Sequence, residues 1–374
     1  MTSMRKQIGV GVAVLALVGV SAPSASADEV LADNLTSPLG FAVADDGTLY
    51  VAEAFAGLLT EIKPNGDRSE IASAPPGSGT AGVALAKNGD VYYTLSLPPE
   101  QGGAPDAGLA VAHPDGSTEV LASLADYEAA NNPDAGNTYG ILEDGKCYNS
   151  VDALSRFLGP PRYNGVVESN PYAVADEGYG SVVVADAAGN SIVRVVRGKV
   201  STVAVLPPIN QKLSRQTLRS EVRRINRQLE RQGKDPIPAD SLDSCIGEKY
   251  AANPVPTDVE FGPDGSLYVS TLPGFPENAG AAKVFKVNPS TGAYTVVARG
   301  LTGATDLAVA DDGTIYVSEL FAFNVAEIAP GSKTATDGTF VECPTAVEID
   351  SAGDVLVAHG GLCGPAPGEI IRLG

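Results

Sequence analysis

One phrase recurs six times along the chain, and no other feature restricts the fold as tightly. The first copy reads Pro38-Leu39-Gly40-Phe41-Ala42-Val43-Ala44-Asp45-Asp46-Gly47-Thr48-Leu49-Tyr50-Val51-Ala52-Glu53, and the others span Thr80–Leu95, Ser169–Asp186, Pro256–Thr271, Ala304–Glu319 and Pro344–His359. A fixed period marks an array of one supersecondary unit that buries its apolar face only against its neighbours. Turn glycines at 47, 89, 178, 265, 313 and 353 are separated by 42, 89, 87, 48 and 40 residues, so two intervals hold about twice the period. Within each copy an alternating apolar run, a turn that is usually Asp/Asn-Gly and a second β-rich run make a hairpin. Two more strands follow, as in Leu58–Ile62 with Arg68–Ala72 and Lys283–Val287 with Tyr294–Ala298. Four antiparallel strands per period make a propeller blade. The doubled intervals hold no further copy of the phrase, so the expectation is an all-β, six-bladed β-propeller.

The chain ends carry the closure. After the sixth phrase one strand remains, Gly368–Leu373, and its blade lacks a fourth. The stretch Asp28–Leu35 is patterned like outer strands such as Thr295–Leu301. The N-terminal strand is therefore expected to complete the last blade, leaving no open edge in the ring.

Residues 1–27 read as a secretory signal peptide: Arg5 and Lys6, an apolar run from Ile8 to Val20, and a small-residue site at Ala25-Ser26-Ala27. The run is too short to span a bilayer. The expected mature product, residues 28–374, is one propeller, secreted and without membrane insertion. With 25 Lys+Arg against 45 Asp+Glu the formal charge is −20, which opposes phosphate backbones, so no nucleic-acid partner is expected. A monomer is expected.

The doubled intervals carry insertions at 125–168 and 207–254. Together with the loops at 95–107, 272–281, 319–323 and 359–367, they should emerge on one face around the channel mouth, opposite the tight turns. Variable loops on one face of a rigid scaffold commonly build a binding surface. The second insertion holds the one clear helix, about 212–231, with Leu213, Leu218, Val222, Ile225 and Leu229 on one stripe. Between 212 and 234 it has eight basic and two acidic residues, and docking of the stripe over the propeller mouth is favoured. Four cysteines in an exported chain predict disulfides, Cys147 with Cys245 and Cys343 with Cys363.

Tests for nucleophile elbows, zinc-protease motifs, phosphate loops and Asp-x-Asp calcium loops fail. Candidates come instead from aligned positions. Seven residues before the turn glycine stand Gly40, Gly82, Pro171, Asp258, Asp306 and Ala346. Six after it, counted from Gly180 in the third copy, stand Glu53, Leu95, Asp186, Thr271, Glu319 and His359. Converging carboxylates suit Ca²⁺, for which Asp258, Asp306 and Glu53 are the candidate ligands; His359 and Glu319 are candidate catalytic groups. The alternative is structural, since carboxylates at strand ends often accept backbone N–H groups. His113 reads as an exposed turn residue.

The repeats resemble NHL and gluconolactonase-like six-bladed propellers. More specifically, Asp126-Tyr127-Glu128-Ala129-Ala130-Asn131-Asn132-Pro133-Asp134, Ser169-Asn170-Pro171-Tyr172, Ala185-Asp186-Ala187-Ala188-Gly189-Asn190 and Leu272-Pro273-Gly274-Phe275-Pro276 resemble the ScyD/ScyE family of exported propeller proteins. That resemblance covers the mature chain and implies a binding or scaffold protein of unknown ligand. Asn170 and Asp186 fall within its stretches and join Glu53, Asp258 and Asp306 as candidate binding residues. Likeness to gluconolactonases implies the alternative, a Ca²⁺-dependent lactone hydrolase using Glu53, Asp258, Asp306, Glu319 and His359. The missing catalytic motifs favour binding.

Overall fold

The structure, a computed structural model, describes residues 28–96 and 107–374. The expected signal peptide, residues 1–27, and most of the 95–107 loop lie outside the described residues. Seven antiparallel sheets of four strands each are present, and six carry the repeated phrase. The first blade is built from Pro38–Val43, Leu49–Glu53, Leu58–Ile62 and Arg68–Ser73, in that order from the inside outward. The innermost strands of successive blades are Pro38–Val43, Val83–Leu85, Pro171–Gly178, Pro256–Phe261, Ala304–Val309 and Pro344–Ile349. Each packs on the next, and the last packs on the first, so the ring is closed.

The repeat explains the blade. Asp46, Asn88, Asp115, Asp264 and Asp312 each accept the backbone N–H two residues on, which fixes the hairpin turns of one face. Gly47, Gly89 and Gly313 hold φ near +87° in those turns, a conformation glycine adopts without strain. Four residues past the turn glycine, the second strand puts Val51, Val184, Val269, Val317 or Val357 between the sheets with no exposure, and Tyr93 does so in the second blade. β-branched side chains suit this doubly covered position.

Closure follows the expected clasp. Glu29–Leu35 pairs antiparallel with Gly368–Arg372, with Glu29 opposite Arg372 and Leu35 opposite Gly368. Arg372 also reaches Glu29, Asp350 and Asp354 with its guanidinium.

The two insertions are not blades. Thr138–Ile141 and Arg162–Asn164 from the first pair with each other, as do Ile209–Lys212 and Lys249–Ala252 from the second, and the two pairs join edge to edge through Thr138–Ile141 and Lys249–Ala252, forming a seventh sheet outside the ring. Neither insertion supplies enough strand to stand alone. Cys147–Cys245 joins them across 98 residues, and Cys343–Cys363 staples the sixth blade, which gives the expected pairing for all four cysteines. A cross-link closing a loop of that length removes unfolded-state entropy worth about 4–5 kcal/mol in the chain-entropy model.

The helix spans Arg215–Arg231 and starts at Ser214, whose Oγ accepts the Thr217 N–H. Its stripe packs differently from expectation. Leu218 and Val222 bury against Ile141, Cys147, Leu242 and Cys245 of the insertions themselves, so the stripe completes the added subdomain and does not cap the channel. The subdomain is tied to the ring by Gln211 and Asn278 and by Asn137 bonding the Leu206 carbonyl. Among the described residues, no helix is long and apolar enough to cross a membrane.

Candidate binding face and channel

A cavity of ≈ 370 Å³ runs through the ring and is lined by its innermost strands. Strand register defines which residues are equivalent there. Gly40 faces Ala52, Ala173 faces Ala185, Asp258 faces Ser270, Asp306 faces Ser318 and Ala346 faces Ala358. The third member of the set is thus Ala173. Pro171, which counting back from Gly178 selects, instead matches Pro38, because that hairpin is two residues longer.

Asp258 and Asp306 come together in the channel, each bridging to the following blade. Asp258 Oδ2 accepts the Leu307 N–H at 3.2 Å, and Asp306 Oδ2 accepts the Val347 N–H at 3.3 Å. One turn of the alternation further along, Glu260 Oε2 accepts the Val309 N–H at 2.8 Å. Asp306 accepts with both oxygens, Oδ1 taking the Leu307 N–H at 2.7 Å, and its carboxyl lies within the field of Asp258. Loss of water pushes the pKa of Asp258 up to about 6, and it raises Asp306, Glu260 and Glu348 well above the ordinary carboxyl range, with repulsion between neighbouring carboxylates adding to the last three. The channel therefore retains protons where four negative charges would repel. Tyr172 lies within the field of Asp258 and Asp306, and burial and those charges raise its hydroxyl.

Glu53, Asp186 and Glu319 are placed elsewhere; none lines the channel. Each accepts the backbone N–H of the segment leading into its own blade: Thr36 to Glu53 at 2.7 Å, Asn170 to Asp186 at 2.7 Å and Thr302 to Glu319 at 2.5 Å. Asp186 also takes the Ser169 hydroxyl and the Gly189 N–H. These carboxylates latch each blade to its entry. His359 occupies the same repeat position and lies 3.6 Å from Glu369 through Nε2. His113 Nδ1 pairs with Asp90 at 2.7 Å on the opposite face, and that hydrogen bond raises its affinity for a proton.

The set Glu53, Asp258 and Asp306 does not fit one Ca²⁺. Glu53 is spent on Thr36 and Thr60 away from the channel, and the two aspartates are committed to backbone donors. Among the described residues, no three His, Cys, Asp or Glu side chains stand where they would hold a metal ion.

Two groups of residues escape the repeat-based reading. Glu260 and Glu348 were legible in principle, since they follow Asp258 and Ala346 by two residues and so share the channel side of their strands. The second group is Glu128 and Asp134, which form a knot with the repeat position Asp186, each of the three at most 2% exposed. Asp134 accepts from Tyr139 and Asn190, and Gly189 leaves room for the Glu128 and Asp186 carboxyls, which a Cβ there would meet at 3.2–3.4 Å. Burial, then the charges of Asp186 and Asp134, pushes Glu128 up to about 8. The stretches 126–134, 169–172 and 185–190 thus meet where the first insertion joins the third blade.

The loop-rich face also exposes phenylalanines. Phe55 and Phe321 stand at matching positions, two residues past Glu53 and Glu319, and are 72% and 51% exposed. Phe323 and Phe340 lie beside Phe321, exposed on the fifth blade.

No family model and no curated protein matches the sequence. Solved structures do match in shape. A gluconolactonase from Xanthomonas campestris superposes with a TM-score of 0.54 at 13% identity, over 92% of this chain and 89% of that one. A putative oxidoreductase (glucose dehydrogenase) from Thermus thermophilus gives 0.53 at 14% identity over 93% and 99%. The calcium-binding protein regucalcin from Agrobacterium tumefaciens gives 0.52 at 13% over 93% of each chain. These likenesses show the β-propeller fold.

Proposed function

We propose that the chain is an exported binding protein that engages its ligand through the loop-rich face, without a covalent step. The observation that carries this reading is the matched pair Phe55 and Phe321, held in solvent at equivalent rim positions above latched carboxylates. Large exposed aromatics on a rigid rim lose apolar contact with nothing in return unless a partner covers them, and such residues dominate binding energy when covered. The two disulfides are compatible with a location outside the cytoplasm. The test is a panel of oligosaccharides and peptides screened against the mature protein. A member whose binding falls in Phe55→Ser and Phe321→Ser, and survives Tyr179→Ser on the opposite face, supports the reading. Binding that survives both rim variants overturns it.

A lactonase-type reading is favoured by one observation, the carboxyls of Asp258 and Asp306 brought together in the channel. Calorimetric titration with Ca²⁺ and an assay with gluconolactone test it. A single-site heat and a hydrolysis rate, both lost in Asp306→Asn, support it, and their absence in the parent protein overturns it.

A further inference from the structure

A second cavity, ≈ 510 Å³, lies apart from the channel, between the two insertions and the 272–281 loop of the fourth blade. One side is aliphatic, with Ile141, Val151, Leu158 and Leu218. The other is aromatic: Tyr250 and Phe275 meet edge to face with ring centroids 5.1 Å apart. A concave, mostly apolar space of this size with a few placed polar groups is the usual form of a small-molecule site. Its frame is held independently of any occupant, by Cys147–Cys245 and by Gln211, which donates to the Gly274 carbonyl and accepts from the Asn278 N–H.

The polar groups restrict what fits. Glu221 and Arg224 neutralise each other across 2.7 Å, so neither offers an uncompensated charge. The Tyr163 hydroxyl oxygen accepts from Asn253 Nδ2 at 3.2 Å, and among the described residues no acceptor takes its own proton. Burial raises Tyr163 and Tyr250, so both stay protonated. An anion would find no free cation here and a cation no free carboxylate, while a folded peptide segment exceeds the volume.

We propose that this cavity binds a neutral, largely apolar small molecule carrying a ring system and one carbonyl or ether oxygen, with the rings against Tyr250 and Phe275 and the oxygen accepting from Tyr163. The site is distinct from the phenylalanine rim, and its fate is independent of the rim reading.

Prodan, a neutral naphthyl ketone whose emission reports polarity, tests the proposal, and the absence of Trp leaves a clean background. Dimethylaminonaphthalene, which lacks the ketone, is its partner probe. Both should bind saturably, one per chain, with blue-shifted emission. Tyr163→Phe should weaken prodan about 2- to 12-fold, the worth of one net hydrogen bond, and leave dimethylaminonaphthalene unchanged. Leu158→Trp, or Val151→Phe should the first melt differently from the parent, fills the space and should abolish both. Phe55→Ser with Phe321→Ser should leave both intact. The proposal is overturned by absence of saturable binding, by binding that persists in a filled variant with the parental melting profile, by loss in the rim variant, or by equal loss of both probes in Tyr163→Phe.

Discussion

In two of the six blades the channel wall is made by backbone pressed on backbone, and in two others by carboxyl groups reaching across, although both sides use the same position of the same repeat. In the first and second blades that position is Gly40 and Gly82. A Cβ on Gly40 would lie 2.3 Å from the Ala81 carbonyl oxygen, and one on Gly82 would lie 2.6 Å from Ala173 Cα. In the fourth and fifth blades it is Asp258 and Asp306, whose side chains accept the N–H groups of Leu307 and Val347. The innermost strand of every blade is a sheet edge, with N–H groups that no fifth strand satisfies. Either close approach or a side-chain acceptor manages that edge. The first gives a narrow apolar wall, and the second gives a polar wall that retains protons, so the repeat leaves this position free to differ around the ring.

Gly40→Ala should break the glycine side with the largest effect. A glycine-to-alanine change at a compatible site stabilises by about 0.4–1 kcal/mol, whereas forcing a methyl into backbone typically costs about 1–3 kcal/mol or more. Urea denaturation should therefore show a lower midpoint, and an unchanged or raised midpoint would refute the close approach. Asp306→Ala should come next, at about 2 kcal/mol, because the buried Val347 N–H is left without an acceptor. Asp306→Asn keeps an acceptor for Val347 and gives up only the second oxygen, which takes the Leu307 N–H, so its loss should be smaller by the same measurement.

The ring was legible because each link in its argument is local. The turn chemistry at Asp46-Gly47 and Asp312-Gly313, the buried valines four residues on and the missing strand after Arg372 are all sequence patterns with one structural meaning. The disulfide pairing followed from the placement of Cys147 and Cys245 in the two insertions. The site was less legible because its determinants are set between segments. Glu53 and Glu319 look equivalent to ligands until Thr36 and Thr302 are seen to occupy them. The seventh sheet joins strands more than 100 residues apart, as in Gly140 opposite Ala251, and periodicity carries no record of that pairing. The same holds for the Glu128 knot, whose members are drawn from the first insertion and the third blade.

The smallest effect concerns protons and separates the carboxyl side from that knot. Folding raises Asp258 from its ordinary 3.8 to about 6 and Glu128 from 4.5 to about 8. A group whose affinity for a proton is raised on folding stabilises the native state fully below its unfolded value, and that stability is lost as pH rises through the folded one. The melting temperature should hence fall in two overlapping stages, one through the channel, beginning with Asp258 from pH 4 to 6 and extended upward by Asp306, Glu260 and Glu348, and one from pH 5 to 8 through Glu128. Asp306→Asn should shrink the channel stage, since the amide removes one carboxyl whose proton affinity folding raises. Glu128→Gln should flatten the second and raise the melting temperature at pH 8, because a neutral side chain replaces a carboxyl that would otherwise ionise beside Asp134 and Asp186. Calorimetric melts across this range check both stages. A Glu128→Gln protein that still loses stability between pH 6 and 8 as the parent does would show that the knot releases its proton lower, leaving the channel alone to set the pH dependence.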